Sequence, residues 1–261
     1  MTAFKGLLIK EAKLMRIWFI WGILLSIAVA AAGYSISQYV NDMIVFEVLV
    51  FMILSAHAFY LPIYLLLSLN VEAKTQLWLH NPNSGYLLFF SKFLTGFVFM
   101  MVSIFIAFII AIWATESDTG IYFLAKDQLP KFILTGVSLS IIAYSFYLGI
   151  WTFFYWTLYH SLKLYGWNSG FRWGFLICLW VVSFYIENLI KELPIYQSFW
   201  NFGAIDMTSL KTLNYELSKQ SFSAELTANP FISLTEIALY LILLMAVVIF
   251  SIWMLEKKVE V

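Results

Sequence analysis

The sequence predicts an all-α integral membrane protein with six transmembrane helices, both termini cytoplasmic, and an amphipathic interfacial helix at the N-terminus. Three observations carry this prediction. Hydrophobic residues make up 62% of the 261 and charged residues 11%, against roughly 45–50% and about 25% in soluble domains. A soluble fold of this size has no means of covering so much apolar surface. Six stretches meet or approach the roughly 20 apolar residues that a bilayer core of about 30 Å demands of a helix: 17–36, 44–69, 93–114, 132–158, 173–190 and 231–255. Finally, with the N-terminus inside, the cytoplasmic segments hold ten basic residues, namely Lys5, Lys10, Lys13, Arg16, Lys74, Lys92, Lys163, Arg172, Lys257 and Lys258. The outer segments hold five, Lys126, Lys131, Lys191, Lys211 and Lys219, and the excess of Lys and Arg marks the cytoplasmic side.

The same composition removes other classes. Fifteen basic and fifteen acidic residues cancel, so there is no basic footprint for a nucleic-acid partner. The single cysteine, Cys178, lies in an apolar run and allows no intrachain disulfide. Paired Cys/His zinc spacing is absent from the sequence, as are Gly-x-Ser-x-Gly and His-Glu-x-x-His. No Gly-x-x-x-x-Gly-Lys-Ser/Thr occurs either, so the chain carries no phosphate-binding loop and no enzymatic activity of its own is expected. The first apolar run is too long for a signal peptide and reads as the first span. The whole of 1–261 then forms one transmembrane domain with no appended soluble domain.

Taken in chain order, residues 2–16 form an amphipathic helix expected to lie along the cytoplasmic surface. Phe4, Leu7, Leu8, Leu14 and Met15 share one arc, and Lys5, Lys10, Lys13 and Arg16 share the other. Glu11 falls inside the apolar arc, which a helix meeting only lipid does not explain. In the first span Gly22, Ser26, Ala30 and Gly33 make a stripe of small residues suited to close helix approach, within the chain or across a dimer. The second span holds Glu47 and His57. His57 is expected to make an interhelical hydrogen bond, and Glu47, Glu187 and Glu236 to reach the outer interface. A proton-driven transporter would place carboxylates nearer the midplane.

The cytoplasmic segment 71–91 carries a dense turn signal from Asn81 to Gly85 between two helix-compatible flanks. Its tip is Leu77-Trp78-Leu79, which a plain connection between spans would not need and which points to docking against a partner. The fourth span aligns Tyr144, Tyr147, Trp151, Tyr155 and Tyr159 on one face. That stripe is either helix packing ending in an interfacial belt or, with His57, the wall of a path for amphipathic cargo. Gly166, Gly170 and Gly174 surround Trp167, Asn168 and Arg172 and read as a turn into the fifth span. The outer segment 191–230 begins with Pro194, Tyr196, Phe199, Trp200 and Phe202, either short helices dipping into the outer leaflet or a surface cap.

Together these features resemble the permease subunits of type 2 ABC exporters of Gram-positive bacteria. The likeness rests on Glu72, Lys74, Thr75, Trp78, Pro82 and Ser84, on Ser91-Lys92-Phe93-Leu94, and on the ending Leu255-Glu256-Lys257-Lys258. The resemblance implies that residues 72–90 form a coupling helix seated in a groove of a separate ATPase subunit. Leu77, Trp78, Leu79, His80, Pro82, Ser84 and Tyr86 would make the contact, and ATP and Mg would bind that partner. It also implies a second permease copy or a homologous permease, a place in the cell membrane, and outward movement of an antimicrobial peptide, drug or lipid-like molecule. The alternatives are a non-transporting sensor or immunity protein that binds a peptide, and an intramembrane enzyme, for which His57 has no obvious catalytic partner in sequence.

Overall fold

The computed structural model describes residues 2–75, 83–116, 129–194, 196, 204–206 and 231–258. Their helices are α1 (Thr2–Val40), α2 (Ile44–Ala56), α3 (Tyr60–Thr75), α4 (Gly85–Glu116), α5 (Leu129–Ser161), α6 (Ser169–Glu192) and α7 (Leu234–Lys258). Among the described residues six helical segments are long and apolar enough to cross a membrane, with α2 and α3 counting as one. A short antiparallel ladder joins β1 (Ala204–Asp206) to β2 (Phe231–Ser233), pairing Ala204 with Ser233 and Asp206 with Phe231. The sixth span therefore starts at Leu234 rather than at 231, because aromatic and β-branched residues such as Phe231 and Ile232 favour extended backbone. Two compact units are distinguished, Met1–Asn168 with Val247–Val261, and Ser169–Ala246.

In the first unit α1 is one unbroken helix of 39 residues, about 58 Å long and so nearly twice the hydrocarbon thickness. Residues 2–16, expected to lie apart on the membrane surface, are its first turns. No proline interrupts them, and Leu7, Glu11 and Met15 form a buried stripe that holds them against the protein. At its other end α1 stops in a tight turn. Asn41 adopts a left-handed φ of 55°, which asparagine tolerates. Buried Ser37 fastens the turn by accepting hydrogen bonds from Asp42 N–H at its carbonyl and from Phe46 N–H at Oγ, at 3.1 and 3.2 Å.

Beyond this turn Phe46, Val50 and Leu54 of α2 pack with Ile104, Ala107, Ala111 and Ala114 of α4, Ala30 of α1 and Leu134 of α5. The alanines recur at three- and four-residue steps, so the backbones approach closely. Tyr34, Phe46 and Trp113 close this end as three mutually contacting rings, 5.1–5.6 Å apart. The small-residue stripe of α1 divides its duty. A Cβ on Gly33 would lie 2.9 Å from Leu49 Cδ1, whereas Gly22 has open space around it.

The second span is broken. A 3-10 turn at His57–Phe59 separates α2 from α3, and Pro62 stands in the first turn of α3, where a missing N–H does least harm. Leu61 N–H donates to Ser145 Oγ of α5 at 3.2 Å. The Leu61 side chain fits between two glycines, since a Cβ on Gly96 or on Gly149 would come within 2.9 Å of it. Trp156 Nε1 of α5 donates to Asn70 Oδ1 of α3 at 2.9 Å, completing the α3–α5 contact. A left-handed Gly166 (φ 72°) ends the 3-10 turn after α5, as the glycine pattern there predicts.

In the second unit α6 buries only Leu176, and Tyr240 of α7 donates to Glu187 Oε1 at 2.9 Å. Glu187 also pairs with Lys191 one turn on, at 2.7 Å.

The glycine contacts give a direct test. Gly96→Ala places a methyl 2.5 Å from Cδ1 of the buried Tyr64 ring, and such overpacking costs about 1–3 kcal/mol. The thermal midpoint of the purified protein in detergent should fall. Gly136→Ala, which meets nothing within 4 Å, should leave it unchanged or raise it.

Candidate functional site

The densest polar constellation among the described residues lies where α3 and α4 approach the connecting loop. Lys92 enters from the third turn of α4 and is 2% exposed, facing Glu11 of α1 (0%) and Glu72 of α3 (1%). Its Nζ donates to Glu11 Oε1 at 2.8 Å and to Ser68 Oγ at 2.9 Å, and lies 2.8 Å from Glu72 Oε2. Two ammonium hydrogens are thereby committed, and the Glu72 contact is an ion pair. Ser68 in turn donates to Glu11 Oε2 at 2.9 Å. Lys10, one-third exposed, donates to Glu72 Oε1 and stands 3.4 Å from Glu11 Oε1. Two ammonium and two carboxylate groups give no net charge, and two cations among four groups exclude a metal-ligand set.

Local sequence positions each member. Ser68 and Glu72 are one turn apart on the buried face of α3, which continues through Leu61, Leu65 and Leu69. Ser91 turns its hydroxyl back to Leu88 O at 2.9 Å, and Thr95 donates to Ser91 O at 2.8 Å. At an effective dielectric of about 20, a 2.8 Å pair attracts by roughly 6 kcal/mol, comparable to the several kcal/mol per ion lost on leaving water. Such a cluster fixes geometry more than it adds net stability. Removing one member leaves the others buried without compensation.

Of the coupling residues expected from the sequence, Leu77, Trp78, Leu79, His80 and Pro82 lie outside the described residues. The described flanks of that segment are helical: residues 72–75 belong to α3, and Gly85 begins α4. Ser84 precedes α4 and accepts Leu88 N–H at 3.2 Å. Tyr86 is exposed on the first turn of α4. The aromatic stripe of α5 forms a ring-to-ring ladder, Tyr144 to Tyr147 to Trp151 to Tyr155, with centroids 6.4, 6.2 and 5.8 Å apart. Tyr144 is half exposed, and the other three are partly covered.

His57 makes its contacts elsewhere. Its Nδ1–H donates to Ile53 O at 2.8 Å, because a carbonyl only accepts. The neutral ring then accepts Ser103 O–H at Nε2, at 2.9 Å. This is the interhelical bond expected of it. Glu47, in the first turn of α2, is buried on the face that carries Val50 and Leu54, and among the described residues its Oε1 has no hydrogen-bond partner.

The Lys10–Glu11–Glu72–Lys92 cluster itself is not an expectation of the sequence reading. Its signals were present in Glu11 within an apolar arc and in Lys92 within Leu87-Leu88-Phe89-Phe90-Ser91-Lys92-Phe93-Leu94.

Comparison with known proteins places the chain among relatives. It is 30% identical over 215 residues to "Uncharacterized protein YhcE" of Bacillus subtilis (strain 168), covering 77% of this chain and 79% of that protein. The chain belongs to the YhcE family. For a YhcE-family chain this establishes kinship without an activity, since the relative is described as uncharacterized. No family model matches the chain, and no solved structure matches it.

Lys92→Met should destabilise this YhcE-family protein by about 3–5 kcal/mol, the cost of stranding a buried partner, read as a lowered melting midpoint in detergent. Glu11→Gln combined with Lys92→Gln should recover part of that loss. Lys5→Met, on the exposed side of α1, should stay within about 0.5 kcal/mol of the parent.

Proposed function

We propose that the chain is the membrane-spanning permease subunit of an ATP-driven ABC exporter in the cell membrane. A separate ATPase subunit binds ATP and Mg and engages the cytoplasmic loop. A second permease, identical or homologous, completes the path. Cargo moves outward and is hydrophobic or amphipathic, such as an antimicrobial peptide, a drug or a lipid-like molecule. The observation that carries this reading is the pair of braced helix ends on either side of the loop. The sequence Leu77-Trp78-Leu79 connects two helices whose ends are tied by Glu72 and Lys92 to each other and to α1. Helix ends tied in this way pass a push to whole helices instead of absorbing it by local bending.

The Lys and Arg bias sets the orientation, with both termini and the loop cytoplasmic. Exposed Lys5, Lys13 and Arg16 on the first turns of α1 then face anionic headgroups, which is the interfacial role kept for residues 2–16. The α5 ladder is the wall best suited to amphipathic cargo, offering apolar rings with hydroxyls. A non-transporting peptide sensor would need no loop of this kind.

Two experiments test the proposal. Purification of the tagged chain from its native membrane should bring down an ATPase subunit, and Trp78→Asp or Leu79→Asp should release it or uncouple hydrolysis from transport. An intact complex with full transport in both variants removes the loop from the mechanism. Separately, with Cys178 replaced, a cysteine at Ser209 should react with an impermeant thiol reagent applied to intact cells, and one at Asn83 should not. The reverse pattern inverts the topology and ends the proposal.

A further inference from the structure

The end of α7 meets the start of α4. Glu256 Oε1 accepts the Gly85 N–H at 2.7 Å, across 171 residues of sequence. The first N–H groups of a helix have no partner within it, and a carboxylate also suits the positive end of the helix dipole. The approach is close enough to require glycine. A Cβ on Gly85 would lie 2.9 Å from Glu256 Cγ, 2.9 Å from Glu256 Oε1 and 3.1 Å from Ile252 Cγ2. Ser251, Ile252 and Met254 are buried, so the turns delivering Glu256 are themselves anchored.

We infer that Glu256 is a positioning residue for the loop between α3 and α4, acting as the cap of α4 supplied from a distant helix. The loop then has two independent moorings. Its entry is held by Glu72 within the lysine cluster, and its exit at Gly85 is held by the end of α7. Without the second mooring the first turn of α4 frays, and the residues before Gly85 are no longer held at that end. The functional consequence rests on the permease reading, because a frayed start of α4 would pass on the ATPase's push poorly. The structural claim does not rest on it.

The test uses the full chain purified in detergent with Cys178→Ser and a reporter cysteine at Asn83. The rate of maleimide labelling is compared for the parent, Glu256→Gln, Glu256→Asp, Glu256→Ala and Gly85→Ala. Glu256→Ala and Gly85→Ala should speed labelling about fivefold, the factor corresponding to a typical lost cap. Glu256→Asp, too short to reach, should do the same, while Glu256→Gln keeps an acceptor oxygen in place and should stay near the parent. Equal rates in all five proteins overturn the inference, as does Glu256→Gln behaving like Glu256→Ala. In cells, Glu256→Ala should lower transport per ATP hydrolysed while the amount of co-purifying ATPase stays constant. Faster labelling with no ATPase ever recovered keeps the mooring and sinks only the permease reading.

Discussion

A charged side chain inside a membrane protein is tolerated when its counter-charges are carried in with it. Lys92 receives its partners from two other helices, Glu11 from α1 and Glu72 from α3. This constraint reaches well beyond four side chains. Contacts between apolar helices discriminate poorly among rotations, because one leucine surface resembles another and the lipid competes equally well. An ion cluster discriminates sharply. Turning α1 by a single residue would swing Glu11 by about 100° and take from Lys92 one of its two carboxylates. The rotation of α1, the depth of its first turns and the pairing of α3 with α4 are therefore specified by charge, and the apolar packing elsewhere follows.

The break at His57–Phe59 shows a related economy. Ending one helix and starting another inside a span releases backbone groups that water cannot reach. Ser145 takes up the Leu61 N–H from α5, and His57 uses both ring nitrogens, one on its own helix and one on Ser103 of α4. Polar side chains at this depth close the local hydrogen-bond account and hold three helices together.

How much of this was legible in the sequence differed by kind of feature. Length and apolarity located all six spans, because a bilayer imposes one strong rule on each, although the helices of the first and third begin well before the apolar runs. The continuity of α1 was not legible. Basic residues within its first 16 positions mark where lipid headgroups would lie, but they say nothing about whether the backbone bends there. Glu11 and Lys92 each stood out as misplaced within an apolar context, and neither named the other, since their meeting depends on how α1 crosses α4. The burial of Glu47 was hidden for the same reason, since it depends on the face shared with Val50 and Leu54 and not on nearness to a span end. The α5 aromatic stripe, set by local helical spacing alone, was read correctly as one continuous face. The Gly85–Glu256 contact, bridging the length of the chain, left no local trace.

That long bridge also has a dimension in time. Gly85 emerges from the ribosome 171 residues before Glu256, an interval of about 10–35 s at roughly 5–20 residues per second. Lys92, Glu72 and Glu11 are all synthesised early and can find one another while later helices are still being inserted. During that interval the hairpin of α3 and α4 exists with its entry fastened and its exit open. Only when the last turns of α7 arrive does the start of α4 gain its Glu256 cap, so the root of that helix is set late in synthesis by a single carboxylate.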